Sequence, residues 1–283
     1  MRKYISALLA ASVTIATGSV MADNNADAKS LSDYFVKKFP GVATSDLING
    51  SYALDESLKS QWENIEEFPP YEDFVSQGEE IWNKKFANGK SFASCFGSDP
   101  SKVRVKYPHW DSASSKVVTL EGDINKCLTD NGEKPMKWGK GPIAYLSSYL
   151  GYKARGQKIN VVVPNDPKAK AAYEDGKQFF YAKRGQLNLS CADCHVYYAG
   201  SFVRADLLSP ATGHVTHFPV YRQKWSANPK NDGLGTLHRR YGGCNKQVRA
   251  KPFKAQGDEY RNLEFFHASM SNGLEINAPG YRK

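Results

Sequence analysis

Apolar positions in this chain follow a helical period most clearly at the two ends of its second half. Asp166-Pro167 supplies an N-cap and a first-turn proline, and Ala171, Tyr173, Gly176, Phe179 and Phe180 recur after it at helical spacing. The pattern predicts a helix that starts at Asp166 and ends near Arg184-Gly185. Tyr260, Leu263, Phe266 and Met270 carry the same period through a second helix, from about Asp258 to Ser271. In the first half, Gly78, Trp82 and Phe86 repeat the glycine-aromatic pattern. The longest apolar run, Ile5 to Val20, lies at the N-terminus behind Arg2 and Lys3. It is short for a membrane span and rich in Ala, Ser and Thr, and Val20-Met21-Ala22 suits a signal peptidase. The expectation is a secretory signal, residues 1–22, cleaved after Ala22, and a mature chain with no membrane span.

The chain has 283 residues, 41% of them hydrophobic and 24% charged, enough for two domains of about 120 residues with a core each. The formal charge is +9, of which two units belong to Arg2 and Lys3 in the leader. An exported protein seldom meets nucleic acid. The basic balance therefore points to a small anionic substrate or an acidic partner protein.

Candidate chemistry centres on Cys191-Ala192-Asp193-Cys194-His195, a C-x-x-C-H motif. Its two thiols are spaced to add across the vinyl groups of haem, and the adjacent His then reaches the iron. A thioredoxin-like pair or half of a zinc site would also use C-x-x-C, but neither needs the His, and no second C-x-x-C exists. One covalently attached haem c follows, with His195 as an iron ligand. The two helices on either side fit a cytochrome c domain, whose first and last helices cross with a glycine and aromatics at the contact; Gly176 and Phe266 are the candidates. Together with the leader, the haem motif places the protein in a bacterial periplasm.

A search for internal similarity finds the same pattern earlier in the chain. Gly78 to Cys95 resembles Gly176 to Cys191, but Cys95-Phe96-Gly97-Ser98-Asp99 lacks the second thiol and the His. At a fixed offset of 117, Cys127 matches Cys244, Lys134-Pro135 matches Lys251-Pro252, and Gly156, Ile159 and Asn160 match Gly273, Ile276 and Asn277. The expected fold is mainly α, with tandem duplicated cytochrome c-like domains. Residues 23–163 form a haemless copy, and residues 164–283 form the haem-bearing one. Cys95 and Cys127 would flank the vacated pocket, where they are expected to form a disulfide; the alternative is two free buried thiols.

Cys244 is left over. It lies 49 residues after His195, where a distal haem ligand is expected, among His238, Arg239, Arg240, Lys246, Arg249 and Lys251. Such neighbours favour a thiolate, and Gly242-Gly243 suggests an open loop that a substrate can approach. Rival distal ligands are Met270, His214, His217, His238 and His267. A Met or His ligand would make the protein a simple periplasmic electron-transfer cytochrome c.

Two cytochrome c-like halves, a C-terminal C-x-x-C-H and a downstream Arg240-x-x-x-Cys244 resemble the SoxA family, the catalytic subunits of the SoxAX cytochromes of thiosulfate oxidation. The likeness covers nearly all of the mature chain. Ser98 and Asp99 depart from members with two haems and resemble those with a disulfide in the first domain. The resemblance implies a haem-dependent L-cysteine S-thiosulfotransferase, which joins thiosulfate to a cysteine of the SoxYZ carrier. Electrons would leave through a small SoxX cytochrome. It also implies that Cys244 is the distal haem ligand, commonly a persulfide, and that Arg240 is the active-site arginine.

Overall fold

The computed structural model describes residues 23–283, so the leader reading of residues 1–22 lies outside the described residues. Helix α1 (Asn24–Lys38) starts where the Asp23 side chain accepts from the Asn25 and Ala26 N–H groups. A 3-10 stretch, Thr44–Ala53, leads to α2 (Glu56–Glu66) and α3 (Glu72–Asn83). A short turn of helix, α4 (Ala93–Phe96), precedes a hairpin of β1 (His109–Asp111) and β2 (Lys116–Val118). Then come α5 (Leu120–Asp130), α6 (Pro142–Lys153) and α7 (Pro167–Tyr181). A second hairpin joins β3 (Phe202–Val203) to β4 (Asp206–Leu207). The remaining elements are β5 (Val220–Arg222), α8 (Gln223–Ser226), β6 (Leu234–Gly235), α9 (Leu237–Gln247), α10 (Asp258–Ser269) and β7 (Gly280–Arg282). Strand β5 pairs antiparallel with β6 and parallel with β7.

Both expected helices of the second half are present, and Asp166 caps α7 by accepting from Lys168 N–H at 2.8 Å. Helix α7 stops at Tyr181, short of Arg184-Gly185. There the chain bends so that Arg184 stacks over Phe179, 3.5 Å from the ring, and Gly185 (φ +69°) passes against the Val248 carbonyl. Helices α7 and α10 cross at Gly176, where any Cβ would overlap the Asn262 carbonyl and press on Phe266. Tyr260, Leu263, Phe266 and Met270 are all buried along the α10 face.

Helices α3 and α6 cross in the same way at Gly78, where a Cβ would overlap the Tyr145 carbonyl and press on Tyr149. Residues 145 and 149 precede 262 and 266 by the same 117 positions found in the sequence. The two matching segments also meet each other. Gly156 N–H donates to the Ile276 carbonyl (3.0 Å), and Gly273 N–H donates to the Ile159 carbonyl (2.9 Å). Ile159 N–H reaches Leu274 (2.9 Å), and Ile276 N–H reaches Gln157 (2.8 Å). Each bond returns in the opposite direction when its residue numbers shift by 117, so the two segments meet about a local two-fold axis. Side chains extend the relation: Arg155 Nε donates to the Ala278 carbonyl and Asn272 Nδ2 to the Val161 carbonyl, both at 2.9 Å.

Cys95 and Cys127 form a disulfide across 32 residues, with Cα atoms 6.0 Å apart. A loop of this size corresponds to about 3–4 kcal/mol of stabilisation through the unfolded state. The disulfide borders a core of Trp82, Phe92, Ile124, Ile143, Leu146 and Leu150. A larger core gathers Tyr173, Phe180, Val196, Tyr241, Phe265, Phe266 and Met270. Leu31, Phe35 and Leu47, from the N-terminal arm, belong to this second core. Asp27 fixes the arm there by accepting from Tyr173 Oη (3.0 Å) and pairing with Lys177 Nζ (2.7 Å).

Candidate functional site

The C-x-x-C-H segment starts with a reciprocal cap. Ser190 N–H and Oγ donate to Asp193 Oδ2 at 2.7 and 2.9 Å, and Asp193 N–H donates back to Ser190 Oγ at 3.0 Å. This winds Cys191 to Tyr197 into a helical turn, π-type from Asp193 onward, with Cys191 and Cys194 both unpaired. His195 Nδ1 lies 2.9 Å from the Ser209 carbonyl. Burial holds this imidazole down at about 4; the Ser209 bond opposes the shift, and Arg240 and Arg222 add to it. A neutral ring with Nδ1–H on a carbonyl keeps its Nε2 lone pair for a metal. Two free thiols and such an imidazole, at this spacing, are the donor set that a c-type haem requires.

Arg240 and Cys244 sit on a helix, which corrects the expectation of an open basic loop. Helix α9 begins where Thr236 N–H donates to the Gly139 carbonyl of the first half (3.0 Å). Buried packing then holds it: Asn245 Nδ2 donates to the Tyr241 carbonyl and to Tyr260 Oη, both at 3.0 Å. Gly242 and Gly243 cost about 1 kcal/mol each in a helix interior, and tertiary contacts override that preference. Their expected openness remains. A Cβ at Gly242 would meet only Pro252 and Tyr260, and one at Gly243 only Arg240 Nη1, none closer than 3.9 Å. The four-residue spacing puts Arg240 and Cys244 one turn apart on one face, with Arg240 Nη1 4.0 Å from where a Cβ at Gly243 would lie.

The three free sulfurs and Arg240 influence one another. Burial pushes the Cys191 thiol up to about 12, with Cys244 adding to the shift and Arg184 opposing it. Cys194 is also raised, first by burial and then by Cys244, with Arg240 opposing. The sequence-predicted residues Cys191, Cys194, His195, Arg240 and Cys244 thus converge on one region.

The rivals have partners of their own, although His214 packs against His195 with ring centroids 4.3 Å apart. Met270 lies in the core at 3% exposure. His238 Nδ1 accepts from Gln256 N–H (3.0 Å), and its Nε2 lies 3.0 Å from Glu264 Oε2. His267 lies between His214 Nδ1 (3.2 Å) and Tyr241 Oη (3.0 Å). His217 Nδ1 faces Arg282 Nη2 at 3.0 Å. Arg239 stacks on Trp225, 4.0 Å from the ring, and Lys246 is exposed.

Burial holds His214 and His217 well below the ordinary imidazole range and His267 at about 3. These groups stay neutral in the fold but take up protons in the unfolded chain below about pH 6.5. Stability is therefore expected to fall with acidification below that pH, by about 4 kcal/mol per pH unit for three such groups. Urea midpoints between pH 7 and 5 check this, and a flat profile would count against it.

Sequence reasoning missed Arg222. It ends β5, is 9% exposed, and acts electrostatically on His195, Arg240 and Cys244. No motif marks it, and it reaches the site only because β5 pairs with β6, directly before α9.

Crossed helices around a C-x-x-C-H turn define a cytochrome c-like protein. A SoxA/TsdA cytochrome c domain profile matches residues 77–159, the half without the motif. The chain is 48% identical to the L-cysteine S-thiosulfotransferase subunit SoxA of Allochromatium vinosum, over 99% of this chain and 98% of that protein. It is 53% identical to the Chlorobaculum tepidum protein of the same name, over 92% and 88%. The crystal structure of SoxXA from P. pantotrophus superimposes with a TM-score of 0.70 at 31% identity, over 82% of this chain and 86% of that one. The chain belongs to the SoxA family of L-cysteine S-thiosulfotransferase subunits.

Proposed function

We propose that this protein is a haem-dependent L-cysteine S-thiosulfotransferase subunit that couples thiosulfate to a cysteine of a SoxYZ-like carrier. The observation that carries this reading is Arg240 and Cys244 one helical turn apart, within electrostatic reach of the C-x-x-C-H residues: Cys244 acts on Cys191 and Cys194, and Arg240 on Cys194 and His195. In the coupling, the outer sulfur of thiosulfate and the carrier thiol form one S–S bond, with loss of one proton and two electrons. Haem c, when bound, supplies an electron acceptor beside the reacting sulfur.

One haem is assigned to Cys191 and Cys194, with His195 and Cys244 as iron ligands. The Cys244 sulfur, bare or extended as a persulfide, takes part covalently. Arg240 holds the thiosulfate oxyanion by charge-assisted hydrogen bonds. The chain is read as a duplicated pair, residues 23–163 and 164–283, with the arm of the first laid over the core of the second. The 117-residue offset shared by the partners of the two crossing glycines and by the paired segments supports duplication. Ser98 and Asp99 leave the first copy without haem, and its disulfide staples the collapsed pocket.

A SoxX-like cytochrome takes the electrons, as the SoxXA relative suggests. Cleavage after Ala22 would release the chain to the periplasm; no described helix is long and apolar enough to cross a membrane. Mass spectrometry of the carrier after incubation with thiosulfate and an electron acceptor tests the function. The expected product is a thiosulfonate adduct on its cysteine, whereas a simple electron carrier would yield none.

A further inference from the structure

Arg222 is an arginine that the proposed reaction has not used. Its Nη2 donates to the Lys283 carbonyl at 3.1 Å, and Asp206 Oδ2 is 4.0 Å away. That carboxylate is already bound by Lys224, so it only partly balances Arg222. The Arg222 Nε–H is buried and has no hydrogen-bond partner. Burial lowers its affinity for the proton to about 10; Arg240 lowers it further, while Asp206 and Cys244 oppose the shift. A buried guanidinium with an orphaned donor is costly unless an anion completes its shell. The Arg240 guanidinium, close enough to act on it electrostatically, raises that cost.

We infer that Arg222 and Arg240 form a two-arginine clamp that holds the sulfonate end of a small sulfur dianion next to Cys244. The inference rests on the thiosulfotransferase reading and adds a selectivity to it. A dianion balances both arginines, whereas a monoanion leaves one buried charge unmet. Asp206 restrains Arg222 from behind and competes with the substrate for it. The site is supplied from two directions, with Arg240 from α9 and Arg222 from the end of β5.

Calorimetric titration of the haem-loaded protein with sodium thiosulfate, without carrier, tests the clamp. Arg222→Gln is expected to weaken the dissociation constant roughly tenfold to a hundredfold, with the haem spectrum unchanged and Arg222→Lys intermediate. If Arg222→Gln binds within twofold of the unaltered protein while Arg240→Gln is weakened, the clamp is wrong and Arg222 is only a strap to Lys283. If both bind normally, the anion site at Arg240 falls as well. Should Arg222→Gln fail to fold, Asp206→Asn decides. Tighter binding supports the clamp, and unchanged or weaker binding overturns it.

Discussion

Cys244→Ala is expected to yield a protein that still attaches haem but no longer forms the thiosulfonate adduct on a carrier cysteine. Attachment rests on Cys191 and Cys194, which lie in a different segment with its own Ser190–Asp193 cap. Removing the sulfur deletes the covalent participant, so coupling should fall on the order of 10³-fold or more. Alanine at 244 removes only the sulfur from a half-buried position and keeps helix propensity, so it causes little disturbance. The reduced haem spectrum should change too, if Cys244 ligates the iron as proposed. Unchanged adduct formation together with an unchanged spectrum would leave Cys244 as a bystander.

Arg240→Gln is expected to separate the two roles. Turnover should drop about 10²- to 10³-fold, the usual consequence of losing one preorganised charged donor at a reacting anion. The haem spectrum should stay the same, because Arg240 lies one turn from Cys244 and is not itself a ligand. Arg240→Lys should recover part of the loss, keeping the charge but not the two-pronged geometry. Loss of haem in Arg240→Gln would instead make the arginine a structural support of the pocket.

Local pattern made some features of this fold legible in the sequence. Gly176 and Phe266 were identifiable as a contact because the first and last helices of a cytochrome c domain cross with a glycine and aromatics at the contact. Cys95 and Cys127 could be paired because the internal repeat put them at the attachment and distal positions of the haemless copy, with Cys127 matching Cys244 at the 117-residue offset. Other features depend on distant partners. The Gly242-Gly243 pair reads as a loop; it is helical because Gly139, Tyr260 and Asn245 hold α9 at its start and along its buried side. Arg222 joins the site through strand pairing, which no short-range pattern records. The N-terminal arm crosses to the second core through Asp27, Tyr173 and Lys177, residues about 150 positions apart.

The central claim, that one half carries haem beside a reactive sulfur while the other has lost it, is tested most directly by the intact mass of the exported protein under non-reducing conditions. The account predicts a chain starting at Asp23, one covalent haem and one disulfide, with any extra sulfur mapping to Cys244. Two haems, or none, would contradict it.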